Sequence, residues 1–190
     1  AIWMGFLFFG RFFVSVWADG QMDVYPIALL LMGSTIIPSI QNLGIEIQCA
    51  KNKHQFRSIL YLIVCVVNIV LTFILLKLGY GGVGAAAATA FTVLIGNGLI
   101  MNIHYKYKIG LDIGAFWKSI LSLVPSLILP GVFGYLIMRF VEIDSYAVFI
   151  GFCVLFVLIY AVSLWFFGMN ADEKGVITRV IGRLCAKLKK

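Results

Sequence analysis

The chain holds 190 residues, 62% of them hydrophobic and only 12% charged, with a mean hydropathy of +1.03. A soluble domain carries about 25% charged residues, so a water-soluble fold is excluded. The formal net charge of +7 comes from 15 Lys and Arg residues against 8 Asp and Glu, and the places where those cations fall decide what they mean.

At the N-terminus, AIWMGFLFFG is apolar but too short to cross a bilayer before Arg11 interrupts it. It reads as the tail of a helix whose beginning is missing, so the chain is expected to be a fragment of something larger. A signal peptide would need a basic n-region and a small-residue cleavage site, and this segment has neither. If the helix ran unbroken to Ala18, Arg11 would sit about 10 Å below its outer end and become a functional candidate. The expectation is instead that Gly10 ends the helix, that Phe12, Phe13, Val16 and Trp17 hook into the outer interface, and that Arg11 snorkels to headgroups.

Five apolar stretches follow, residues 24–45, 59–76, 83–103, 120–138 and 147–167, each of 18 to 22 residues with no Asp, Glu, Lys or Arg. A hydrocarbon core of about 30 Å needs about 20 helical residues at about 1.5 Å each. Lipid offers the backbone no hydrogen-bond partners, so a spanning segment must be a helix or part of a closed barrel. Continuous apolar runs without period-2 alternation exclude the barrel. The predicted class is an all-α polytopic bundle. Its transmembrane region covers residues 1–169, a truncated N-terminal helix plus five complete spans, and a basic amphipathic tail covers 170–190.

Residues 46–58 carry Lys51, Lys53 and Arg57, residues 104–119 carry Lys106, Lys108 and Lys118, and the tail carries Lys174, Arg179, Arg183, Lys187, Lys189 and Lys190. The alternate connections carry only Arg11, Lys77 and Arg139, beside Asp19, Asp23, Glu142 and Asp144. The positive-inside rule puts the first set, and the C-terminus with it, in the cytoplasm. Topology and anionic inner-leaflet lipid, at about 1 kcal/mol per surface Lys or Arg, account for the net charge, and nothing calls for nucleic acid. In the tail Val176, Ile177, Val180, Ile181, Leu184 and Leu188 recur at helical spacing opposite Arg179, Arg183 and Lys187. A helix there is expected to lie in the inner headgroup layer as an anchor, the alternative being a partner-docking helix.

Uncharged polar groups inside the spans are sparse. In the first, Ser34, Pro38, Gln41 and Asn42 recur at helical spacing and are expected to share a face turned from lipid. Pro38 lacks an N–H and its ring displaces the Ser34 carbonyl, so a kink is expected there. The second span repeats the theme with Tyr61, Cys65, Asn68 and Thr72, of which Asn68 and Thr72 serve either as interhelical glue, worth about 0.6 kcal/mol per bond, or as cavity lining. In the third, Gly84, Ala88, Thr92 and Gly96 form a small-residue stripe suited to close packing, and Asn97 and Asn102 continue polar character toward the cytoplasmic end. Pro125 and Pro130 give the fourth span a second flexible point, and paired broken helices are what rocking transporters use.

The spans contain no acid, and the outer connections are too short to house an active site, so no enzyme is expected. Cys49, Cys65, Cys153 and Cys185 fit no zinc or redox spacing, and His54 and His104 lie far apart; no disulfide, metal or cofactor is expected.

The order FGRFFVSVWADGQMDVYPIALLLMGSTIIPSIQNLGIEIQCAKNKHQFRS, an apolar span, VGAAAATA and then IGNGLIMNIHYKYKIGLDIGAFWK resembles the C-terminal half of bacterial oligosaccharide flippases. These are the O-antigen and capsule repeat-unit exporters of the multidrug/oligosaccharidyl-lipid/polysaccharide superfamily. QNLGI followed by AKNKHQFRS is the most specific part, and the last two spans are merely hydrophobic. The resemblance implies two pseudo-symmetric lobes around a central cavity in the cell inner membrane, this chain supplying one lobe and the trailing helices. It implies passage of an undecaprenyl-diphosphate-linked oligosaccharide from the cytoplasmic to the outer leaflet by rocking of the lobes, with polysaccharide polymerase and chain-length machinery as partners.

Under that resemblance Gln41, Asn42, Asn68 and Asn97 are the candidates for sugar hydroxyls, and Lys51, Lys53 and Arg57 for the diphosphate. Plain topology signalling is the alternative for that basic loop. Similar proteins carry charged residues in the cavity, and this half offers only Arg11. A drug/cation antiporter of the same superfamily would want a carboxylate there, whereas a structural subunit of a membrane assembly would leave Gln41 and Asn42 as glue. The charge pattern makes a direct prediction. In a cysteine-free background, Lys53→Cys and Lys108→Cys are shielded from impermeant thiol reagents added outside intact cells, and Asp144→Cys is labelled; the reverse pattern inverts the orientation.

Overall fold

The computed structural model describes residues 1–143 and 145–188, with side chains as far as Arg179. The expectations placed on Asp144, Lys189 and Lys190, and on the side chains of Val180, Ile181, Arg183, Leu184, Cys185, Lys187 and Leu188, fall outside the described residues. Regular structure among the described residues is all helical. In chain order the helices are α1 (Ile2–Trp17), α2 (Val24–Ile40), α3 (Asn42–Ala50), α4 (Gln55–Lys77), α5 (Gly81–Ile109), α6 (Ile113–Leu121), α7 (Pro125–Phe140), α8 (Tyr146–Gly168) and α9 (Ala171–Leu188).

Three of these, α4, α5 and α8, are each long and apolar enough to cross a membrane, and the count rises to five if the bent pairs α2–α3 and α6–α7 are each one span. The chain is therefore all-α with three to five candidate spans, consistent with a multi-pass membrane protein. Exposed Leu62, Ile69 and Phe73 on α4 need no explanation once lipid is their solvent.

Helix ends run further than the apolar stretches because a helix continues into the headgroup layer after its hydropathy fades. Thus α5 extends to Ile109 and takes in Lys106 and Lys108, and Gly110, at φ 77°, ends it in the left-handed conformation that favours glycine. The bend expected at Pro38 falls instead at Gln41, where α2 and α3 meet at 43°. Pro38 removes one rung of the ladder, the turn at Thr35 precedes it, and the chain leaves helical geometry at Gln41, with φ −82° and ψ 5°. Between α6 and α7 the 41° bend lies just before Pro125, which occupies the first turn of α7, where its missing N–H is harmless.

The expected break at Gly10 does not occur. Helix α1 passes through Gly10 and Arg11 and stops at Trp17, where Asp19 at φ 47° and Gly20 at φ 82° turn the chain left-handed. Glycine is tolerated inside membrane helices, and Asp-Gly is the stronger stop. At the helix end Phe13 and Trp17 stack at 6.3 Å.

The chain forms two compact units, one of Gly10–Phe116 and one of Ala1–Phe9 with Trp117–Lys190. In the latter, Phe9 and Phe156 meet edge to face at 5.7 Å, and a Cβ at Gly134 would fall onto the Phe8 ring. Ser163 Oγ donates to the Ser126 carbonyl at 2.8 Å, joining α8 to α7. In the former, α5 lies between α2 and α4. The small-residue stripe meets α4: a Cβ on Gly84 would stand 3.1 Å from Leu75 Cβ, one on Gly96 would stand 2.8 Å from Val64 Cγ2, and Ala88 between them is fully buried. Close packing is what the stripe does. Ala88→Leu therefore lowers stability by about 1–3 kcal/mol through overpacking, while exposed Leu99→Ala changes it little; equal melting temperatures of the two full-length variants would refute the crossing.

Candidate functional site

Within the Gly10–Phe116 unit, polar side chains from three helices join into one run. Arg57, in the first turn of α4, donates from Nη2 to Tyr61 Oη at 2.9 Å, and its guanidinium lies 5.0 Å from the centre of that ring. Tyr61 donates to Asn97 Oδ1 at 2.8 Å, crossing from α4 to α5. Asn97 Nδ2 turns back to the Val93 carbonyl at 3.2 Å. On the far side Gln41 Nε2, at the α2–α3 break, donates to the Asn97 carbonyl at 3.0 Å and to Asn102 Oδ1 at 2.8 Å. Asn102 Nδ2 closes the run on the Gly98 carbonyl at 2.7 Å.

Local sequence builds this arrangement. Over residues 94–101 α5 widens into π turns, which loosen the regular ladder and recur at functional positions. Gly96 and Gly98 flank Asn97 and pack against Val64 of α4 and Ile37 of α2, which brings both neighbours close to its amide. Gln41 and Asn97 are each 98% buried, while Arg57 is half-buried. Gln41 Oε1 accepts no bond from a described residue, and Gln41 lines a cavity of about 90 Å³ with Gly44, Asn102, Tyr105 and Phe116. One acceptor is thus left over at the edge of a mostly apolar space.

The remaining candidates lie apart from this run. Asn68 Nδ2 donates to Thr89 Oγ1 at 3.2 Å and Thr72 donates to Asn68 Oδ1 at 3.1 Å, so Asn68 cross-links α4 to α5. Asn68 and Thr72 also border a shallow groove with Ile69 and Phe73, so gluing and lining coexist there. Lys51 Nζ donates to the Ile109 carbonyl at 2.7 Å and Lys53 Nζ to the Lys108 carbonyl at 2.9 Å, both at the C-terminal end of α5. Cations there satisfy the last carbonyls and favour the helix dipole. Asn42 is exposed, so it does not share the inward face of Gln41. Arg11 is exposed too, about 9 Å from the end of α1, with its guanidinium 5.5 Å from the Tyr25 ring centre.

Three buried groups escaped sequence reasoning. Gln48 is fully buried with neither Nε2 nor Oε1 hydrogen-bonded, Tyr105 Oη is buried without a partner, and so is His104 Nε2. A stripe of Gln41, Gly44 and Gln48 at spacings of three and four would have revealed the first, had the apolar stretch not been ended at Ile45.

Among the described residues no group of His, Cys, Asp and Glu could hold a metal ion. The run carries donors, acceptors and one guanidinium, which suits hydroxyl and phosphate oxygens rather than proton abstraction. The fold and site define an apolar helical bundle with a partly buried polar run. The chain matches no protein-family model, no curated protein and no solved structure.

Tyr61→Phe deletes the central hydroxyl and strands Asn97 Oδ1 in an apolar interior, at a cost of about 1–3 kcal/mol. The melting temperature of the full-length variant falls, whereas Asn42→Ala, at an exposed position, leaves it within error; equal shifts would show that the run does not couple α4 to α5.

Proposed function

We propose that this chain forms part of a membrane transporter that passes an undecaprenyl-diphosphate-linked oligosaccharide between leaflets, for O-antigen or capsule synthesis. The observation that carries the reading is the polar run itself, from the Arg57 guanidinium to the free Gln41 acceptor inside an otherwise apolar bundle. A sugar hydroxyl left unsatisfied in hydrocarbon costs several kcal/mol, so a translocation path must offer replacement partners while the prenyl chain stays in lipid. Gln41 Oε1 is such a partner, and Arg57 is the cation for a diphosphate. The ammonium groups of Lys51 and Lys53 keep further N–H donors beyond the carbonyls they cap. The apolar stretches hold no acid, and Asp112, which borders the cavity, is the carboxylate on which the drug/cation alternative would depend.

The test is genetic and chemical. In cells that make surface polysaccharide, loss of the full-length protein leaves the lipid-linked repeat unit on the inner leaflet and removes surface glycan. Arg57→Gln lowers export at least tenfold at unchanged protein abundance. Surface glycan at the parental level without the protein overturns the reading.

A further inference from the structure

We propose that α3 is a hinged half-helix with a second seat, an inner gate over the polar run that Lys51 and Lys53 hold shut. The inference rests on the transport reading for its purpose, but its geometry stands on four features of the Gly10–Phe116 unit. The hinge is the 43° break at Gln41, where the backbone has already left helical geometry. The room is the cavity of about 90 Å³, bounded on one side by Leu43, Gly44 and Ile47 of α3 and on the other by Tyr105 and Leu111. Gly44 makes sliding practicable, because its backbone lies directly on the Tyr105 ring, where a Cβ would stand only 3.0 Å from Cζ.

The third feature opposes the present seat. Gln48 is fully buried one turn beyond Gly44, and neither its donor nor its acceptor is satisfied. Its neighbour Ile47 packs on the apolar cluster of Leu60, Met101, Tyr105 and Ile109, whose side chains offer an amide little. Buried amides without partners are rare in folded proteins, and where one occurs it stores strain or marks a second arrangement.

The fourth feature supplies the opposing force. Immediately after α3 the chain turns, with Asn52 at φ 53°, and both lysines of the turn bond to carbonyls at the end of α5. Charge-assisted bonds of this kind hold α3 down while Gln48 remains unsatisfied. When the lysines let go, α3 swings about Gln41, Gln48 leaves its buried seat, and the inner end of the Arg57–Tyr61–Asn97–Gln41 run opens.

The experiment uses the full-length protein in native membrane vesicles, with its cysteines replaced by serine and Ile47→Cys introduced, a position packed on the apolar cluster that leaves the unsatisfied Gln48 amide in place. With both lysines present the thiol reacts slowly with maleimide; adding Lys51→Met and Lys53→Met raises the labelling rate at least tenfold. A rate unchanged by the lysine substitutions overturns the latch. A thiol that already reacts as fast as in detergent-denatured protein overturns the closed seat. Separately, Gln48→Leu raises the melting temperature, since the unsatisfied amide is gone, and a lowered one shows that the amide is satisfied in place and overturns the strain. Neither readout needs a glycan, so a protein whose gate opens on lysine substitution yet exports no lipid-linked sugar retains the gate and loses the transport reading.

Discussion

The two hydrogen bonds from Gln41 Nε2 to the Asn97 carbonyl and Asn102 Oδ1 hold together the part of this bundle that bends. In a lipid-facing protein a broken helix exposes backbone groups that no water can satisfy, so a break survives only where protein atoms surround it. Gln41 occupies the break itself and fastens it to the widened turns of α5. Remove that amide and the Asn97 carbonyl and Asn102 Oδ1 on α5 each lose a bond to the break. The bend, the π turns and the close approach of Gly96 and Gly98 to their neighbours are consequently one arrangement, and each part loses its reason without the others.

That dependence explains which features were legible in the residues. Hydropathy located the apolar helices, because transfer to lipid is an additive property of short segments. Small-residue spacing likewise foretold a close crossing, which Gly96 makes against Val64 of α4. Gln41 and Asn97 were recognisable as polar groups in expensive places, and Arg57 only as one cation of a basic loop. Their connection was not, because it runs through Tyr61, whose ring suits the membrane, and through a backbone carbonyl, which carries no sequence signature.

Where expectation and structure part, the reason is local and physical. Helix α1 continues through Gly10 because a lone glycine weakens a helix by only about 1 kcal/mol, and the left-handed Asp19-Gly20 pair is a firmer stop. The bend belongs to Gln41 rather than Pro38 because losing one backbone N–H relaxes a ladder over several residues, and the chain leaves helical geometry where a side chain can hold it. Lys51 and Lys53 read as loop cations from charge counting alone. Their bonds to Ile109 and Lys108 depend on where α5 stops, three residues beyond its second-last lysine, and apolar stretches mark that end poorly.

Polar groups in this unit divide by how completely they are satisfied, and the division separates packing from motion. The Asn68–Thr89–Thr72 cluster is closed on itself, with Thr89 also in reach of the Ala85 carbonyl at 3.1 Å, and it lies where α4 and α5 are straight. Such a cluster adds to the stability of one arrangement and offers nothing to a second. Gln48 keeps an amide with neither donor nor acceptor satisfied, and it sits with Gln41 on the only stretch of the unit where a candidate span is bent by more than 40°. An unsatisfied group in hydrocarbon raises the energy of its own conformation relative to any that satisfies it, so its position along the chain identifies the segment with most to gain by moving. By that criterion α3 is the mobile element of the Gly10–Phe116 unit, and the α4–α5 pair is the frame it moves against.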